Sequence, residues 1–171
     1  PMPRPLCRET SIALSNERVY VGTADSAVIE VFALDGTPGR PIYVRGPARR
    51  PTRQQYEKAS DQLVAYQEDA AWRARFKQLF LDMPMPATLP PYSALLADRF
   101  GALWVVRSVP GDADLQLTAY SIDGRALADV RLPRFLTVFE IGADYILGTY
   151  EDGASQPHVA VYTLRRASPS R

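Results

Sequence analysis

Two stretches of this chain repeat one pattern. An apolar, β-branched run ends in Asp-Gly at the same place in each. The first is Arg18-Val-Tyr-Val-Gly22 followed by Ala27-Val-Ile-Glu-Val-Phe-Ala-Leu-Asp-Gly36. The second is Ala102-Leu-Trp-Val-Val-Arg107 followed by Leu115-Gln-Leu-Thr-Ala-Tyr-Ser-Ile-Asp-Gly124. A third unit, Tyr145-Ile-Leu-Gly148 then His158-Val-Ala-Val-Tyr-Thr-Leu164, keeps the strands without the Asp-Gly. Asp-Gly between alternating apolar runs marks a hairpin, because glycine takes positive φ without steric cost. Units of about 40–45 residues built this way predict four-stranded antiparallel blades, the repeat of a β-propeller. Gly36 and Gly124 are 88 residues apart, which is one blade plus an insertion of roughly 45 residues.

The fold class expected is therefore all-β: a partial propeller of about three blades with an α-helical insertion. The bounds read 8–46 for the first blade, 52–82 for the insertion, 92–133 for the second blade and 135–165 for the last, all within one region spanning 1–171. Residues 166–171 read as a polar, frayed tail. Arg45 to Arg53 holds prolines and arginines and reads as a loop. Thr52 with Gln55 three residues on is a capping box that opens a helix. Tyr56, Ala59, Leu63 and Tyr66 fall on one helical face, and Trp72, Phe76, Leu79 and Phe80 on another. The stretch predicts one long helix, or two hinged near Gln67–Asp69, ended by Met83-Pro-Met-Pro86.

The last blade lacks a fourth strand. A closed propeller supplies that strand from the other end of the chain. The segment Pro1–Leu6 reads as the tail of such a strand, and the count of blades favours the C-terminal part of a longer protein over a complete one.

The bulk properties are permissive. A net charge of +1 gives no reason to expect nucleic acid. No apolar run reaches the roughly 18–20 residues of a membrane span. The chain opens Pro1-Met2-Pro3-Arg4-Pro5, without a signal peptide. Cys7 is the single cysteine, so no internal disulfide forms.

The order Pro86-Ala-Thr-Leu-Pro90, then Leu95-Leu-Ala-Asp98-Arg-Phe-Gly101-Ala-Leu-Trp104-Val105, resembles the C-terminal half of bacterial six-bladed β-propeller proteins of the NHL-like and TolB-like kind. Asp123-Gly124, Leu132-Pro133, Tyr145-Ile-Leu-Gly148 and Val159-Ala-Val-Tyr-Thr-Leu164 extend the match over nearly the whole chain. The resemblance implies a helical insertion before the penultimate blade. It also implies a periplasmic, extracellular or lipid-anchored location. It transfers no catalytic residue. The family carries about three more blades and an export signal, which this sequence does not contain.

Individual residues offer little chemistry. His158, the one histidine, reads as a metal ligand or general base, or as a strand-edge histidine; zinc wants three or four ligands, which favours the second. Asp112-Ala-Asp114 reads as a solvated turn, lacking the Gly and Glu of a calcium loop. Arg40, Arg45, Arg49, Arg50 and Arg53 read as a solvated linker rather than a phosphate contact. In a propeller the loops between second and third strands surround one mouth. That places Asp25, Asp112, Asp114, Glu151, Asp152 and His158 there as candidate ligand-binding residues, suited to a cationic ligand.

The leading expectation is a non-enzymatic binding or interaction module of the cell envelope. The alternative is a metal-dependent hydrolase or lyase of the gluconolactonase-like type. It takes Ca²⁺ or Zn²⁺ only if upstream blades supply further ligands. The remaining blades come from upstream residues or from a second copy of the chain, closing a six-bladed ring.

Overall fold

The computed structural model describes residues 4–165. The expected tail at 166–171 and the first three residues lie outside them. The fold is all-β in class, with three antiparallel sheets and two short helices among the described residues. The first sheet runs β1 (Ser11–Leu14), β2 (Arg18–Gly22), β3 (Val28–Ala33) and β4 (Ile42–Tyr43) in that order. The helices α1 (Arg53–Val64) and α2 (Ala70–Asp82) follow. The second sheet runs β5 (Ala94–Ala97), β6 (Leu103–Arg107), β7 (Asp114–Tyr120) and β8 (Ala126–Pro133). The third has β9 (Thr137–Ile141), β10 (Tyr145–Glu151) and β11 (Pro157–Thr163), with β10 in the middle.

Each sheet is a meander because each connection is short enough for a hairpin. Four turns share one hydrogen-bond pattern. The first residue's N–H donates to the carbonyl of the fifth, and the fourth residue's N–H donates back to the first. These turns are Ala33–Thr37, Asp98–Ala102, Ser121–Arg125 and Asp152–Gln156. The fourth position needs a left-handed backbone. Gly36, Gly101 and Gly124 hold it at φ 85°, 86° and 81°. Ser155 holds it at φ 55°, where a side chain is strained. Ser155→Gly is expected to stabilise the protein by about 1 kcal/mol, read as an increase in urea midpoint at unchanged m.

The second sheet is the middle layer, and its inner strands β6 and β7 are buried on both faces. From β6, Leu103 and Val105 join Tyr20, Ile29, Val31 and Ile42 of the first sheet. Ala102, Trp104 and Val106 face the other way, onto Leu136, Ile141 and Ile146. The outer sheets are covered on one face only. Ile12, Leu14 and Tyr43 of the first sheet, and Phe139, Val159 and Val161 of the third, are 63–71 % exposed.

The third sheet also keeps an open edge. Leu164 N–H donates to Asp144 at one end of the β10–β11 ladder and Asp152 N–H to Gln156 at the other. The ladder between has no register shift. Alternation then turns the N–H and C=O groups of Val159, Val161 and Thr163 away from β10, with no strand beyond among the described residues.

The helices depart from expectation in detail. Thr52 does cap α1, its side chain accepting from Gln55 N–H while the Gln55 side chain accepts from Thr52 N–H. The stretch read as an insertion folds as two helices, and Asp69, at the expected hinge, caps the second by accepting from Ala71 and Trp72 N–H. Tyr66 does not belong to the buried helical face: it lies past the end of α1 and is exposed. Tyr56 is buried and donates its hydroxyl to the Phe80 carbonyl at 2.9 Å, pinning α1 to α2. No helix among the described residues is long and apolar enough to cross a membrane. Residues 4–8 run beside the helices, lining clefts with Tyr56, Ala59 and Met83. Among the described residues they add no strand to β11, and the first three residues of the expected strand tail lie outside those described.

Candidate functional site

The seam between the first two sheets is stitched by tyrosine hydroxyls bonded to backbone. Tyr20 on β2 donates to the Gly101 carbonyl at 3.4 Å. Tyr92, just before β5, accepts from Ala24 N–H at 3.0 Å. Tyr120 at the end of β7 accepts from Arg45 N–H at 2.9 Å. All three rings are buried. Burial pushes the Tyr20 and Tyr92 phenols up. The three bonds hold the seam at fixed spacing, and a cleft opens along its loop end.

That cleft encloses about 360 Å³. Its walls come from the β2–β3 loop, the segment after β4, the Thr88–Pro91 stretch and the facing ends of β6 and β7. Four arginines line it: Arg8, Arg45, Arg49 and Arg107. Arg8 reaches Asp25 at 3.4 Å and Thr88 Oγ1 at 3.1 Å. Arg49 reaches Asp112 at 3.5 Å. Arg107 is half-buried, and its guanidinium donates to the Arg45 carbonyl and lies over Gly46. Gly46 at φ 128° lets the chain fold back over that guanidinium.

Three of the acidic candidates, Asp25, Asp112 and Asp152, are held by a side-chain partner. Asp25 and Asp112 are taken by the arginines above, and Asp112 also accepts from Gln55 at 3.5 Å. Asp114 begins β7 opposite Pro133, and Glu151 ends β10 in the open. Among the described residues no group of three His, Cys, Asp or Glu side chains is placed to hold a metal ion. Of the basic loop, Arg45 and Arg49 enter the cleft, while Arg53 pairs with Glu57 along α1 at 2.9 Å.

Asp152 and His158 do come together, at 2.9 Å, and a second pair explains why. In the Asp98 turn, one carboxylate oxygen accepts from Phe100 and Ala102 N–H, both at 2.9 Å, and the other from the Trp104 indole at 3.1 Å. In the Asp152 turn, one oxygen accepts from Ala154 and Gln156 N–H at 2.8 and 2.9 Å, and the other meets His158. The offsets are the same: two, four and six residues on. His158 occupies the place of Trp104, bracing a hairpin, with its ring stacked on Tyr150. Geometry thus supports the strand-edge reading of this histidine.

These turn bonds hold the Asp152 carboxyl below the ordinary carboxylate range, the Gln156 N–H contributing most. Asp35 and Asp123 are lowered too, chiefly by Thr37 N–H and by the Ser121 hydroxyl. A carboxylate lowered in the folded state stabilises it above the unfolded pKa and stops doing so as pH falls through the folded one. Stability is expected to fall below about pH 4. Asp152→Asn is expected to flatten that fall, as measured by urea unfolding between neutral and acid pH.

Compared with known proteins, the chain matches no family model and no curated protein.

Proposed function

We propose that this chain is a non-enzymatic binding and interaction module made of three consecutive β-propeller blades, working in the cell envelope. The observation that carries the reading is the contrast between the sheets. The middle sheet's inner strands are covered on both faces, while the outer two sheets present the same kind of apolar residue to solvent at 63–71 % exposure. The edge of β11, unpaired among the described residues, adds a place for a fourth strand. Exposed apolar sheet faces beside an open edge are interaction surfaces by their physical nature.

The occupant of each face is another blade of the same construction. A closed ring has no terminal sheet, and a second copy turned by a two-fold rotation brings the first sheet of each chain onto the third sheet of the other. Analytical ultracentrifugation of the 171-residue chain tests this. The expected result is association that weakens when Leu14→Glu and Val161→Glu place charge on both faces. A closed dimer identifies the second copy as the source of the missing blades. Open-ended association, reduced by the same substitutions, identifies blades of a longer polypeptide. A monodisperse monomer that binds no hydrophobic dye overturns the reading.

A further inference from the structure

We propose that the cleft between the first and second sheets binds the phosphate group of a small phosphorylated molecule. This goes beyond the module reading and stands on the seam between two described sheets, so it holds whatever covers the terminal faces.

Charge balance carries the argument. The cleft is lined by Arg8, Arg45, Arg49 and Arg107 against a single carboxylate, Asp25. Asp25 is engaged by Arg8 and Asp112 by Arg49. Among the described residues, neither Arg45 nor Arg107 has a carboxylate within ion-pair reach. A free arginine on a surface swings into water and needs no anion. Arg107 is not placed that way: it is half-buried at the end of β6 and anchored to the Arg45 carbonyl under Gly46. Its remaining donors and the guanidinium of Arg45 are left for a ligand. The partners that arginines favour are oxyanions, bound through paired N–H donors.

The arrangement suits phosphate better than carboxylate. One guanidinium fork satisfies a carboxylate. Here the four guanidiniums come from three separate stretches of chain, before β1, after β4 at two positions, and at the end of β6. Such an arrangement matches a doubly charged group with oxygens directed tetrahedrally. The ion pairs of Arg8 and Arg49 are long, at 3.4 and 3.5 Å, so either arginine can share its charge with a ligand. Val44, Leu89 and Pro90 form an apolar wall for an organic body, and about 360 Å³ is the size of a small-molecule site.

Calorimetric titration of the full chain with inorganic phosphate at constant ionic strength tests the proposal, with malonate as the carboxylate comparator. Saturable binding of one phosphate, tighter than malonate, is expected. Arg45→Gln and Arg107→Gln are each expected to weaken it about tenfold or more, the loss of a charge-assisted bond. Arg45 is exposed, so its replacement leaves the fold intact, and Arg99→Gln, outside the cleft, should bind like the parent. No saturable phosphate binding, malonate binding as tightly as phosphate, or parental affinity in both cleft variants would overturn it.

Discussion

Replacing Asp98 by alanine is expected to destabilise the fold by about 4 kcal/mol, since each buried donor left without an acceptor costs about 1–3 kcal/mol. The carboxylate is 2 % exposed and serves three donors at once. Two are the backbone N–H groups that shape the β5–β6 turn. The third is the indole of Trp104, itself 2 % exposed, in the core between the second and third sheets. The Ala102 N–H and indole bonds are buried, so water does not reach those two donors to replace the lost acceptor. Asp98→Asn should be nearly as damaging. The amide oxygen can take the backbone pair, but the amide nitrogen then faces the indole N–H, donor against donor. A domain of this size has a total stability of roughly 5–15 kcal/mol, so either variant removes a large share. Urea unfolding reads the midpoint, and tryptophan fluorescence in a Trp72→Phe background reads the exposure of Trp104. The matching change in the other turn, Asp152→Ala, acts on exposed groups and should shift the midpoint far less. Equal shifts for the two alanine variants would mean that burial does not distinguish the two braces.

The comparison of those two turns shows what a sequence can disclose. Gly36, Gly101 and Gly124 announce their turns because only glycine holds positive φ freely, and in each case the strand before the turn ends three or four residues earlier. Ser155 sits at the same backbone position and gives no such signal. Nothing in the letters pairs Asp152 and His158 with Asp98 and Trp104, because a histidine and a tryptophan look like different chemistry until both are seen closing the same hairpin. Thr52 and Gln55 were legible as a cap since both halves of that bond lie within four residues. Tyr66 misled because helical spacing continues past the last helical residue, where the chain turns to reach Asp69. The arginine cleft was invisible for the opposite reason. Arg8, Arg45 and Arg107 are neighbours only because the seam between two sheets brings them together, and the acidic loops looked unpaired because their arginine partners are 17 and 63 residues away.

Gly22→Ala is expected to cost about 3 kcal/mol, more than the backbone preference of a glycine in a strand explains, because it overpacks a built contact. Gly22 ends β2 with ordinary extended backbone, so conformational freedom is not its role. A Cβ there would stand 2.8 Å from Cζ of Tyr92 and still closer to its hydroxyl oxygen. The ring has no room to retreat, being 2 % exposed within the core shared by the first two sheets. If it moves, Ala24 N–H loses the acceptor that ties the β2–β3 loop to the second sheet. The two costs have one origin, which a double-mutant cycle can isolate. Tyr92→Phe alone removes the acceptor and leaves a buried N–H unpaired. In Gly22→Ala with Tyr92→Phe the closest clash disappears with the hydroxyl, so the pair should lose clearly less than the sum of the single variants. Additive losses would mean that Gly22 and Tyr92 act independently. The same variants should also loosen the arginine cleft, because Asp25 and Ser26 in its wall follow directly on Ala24.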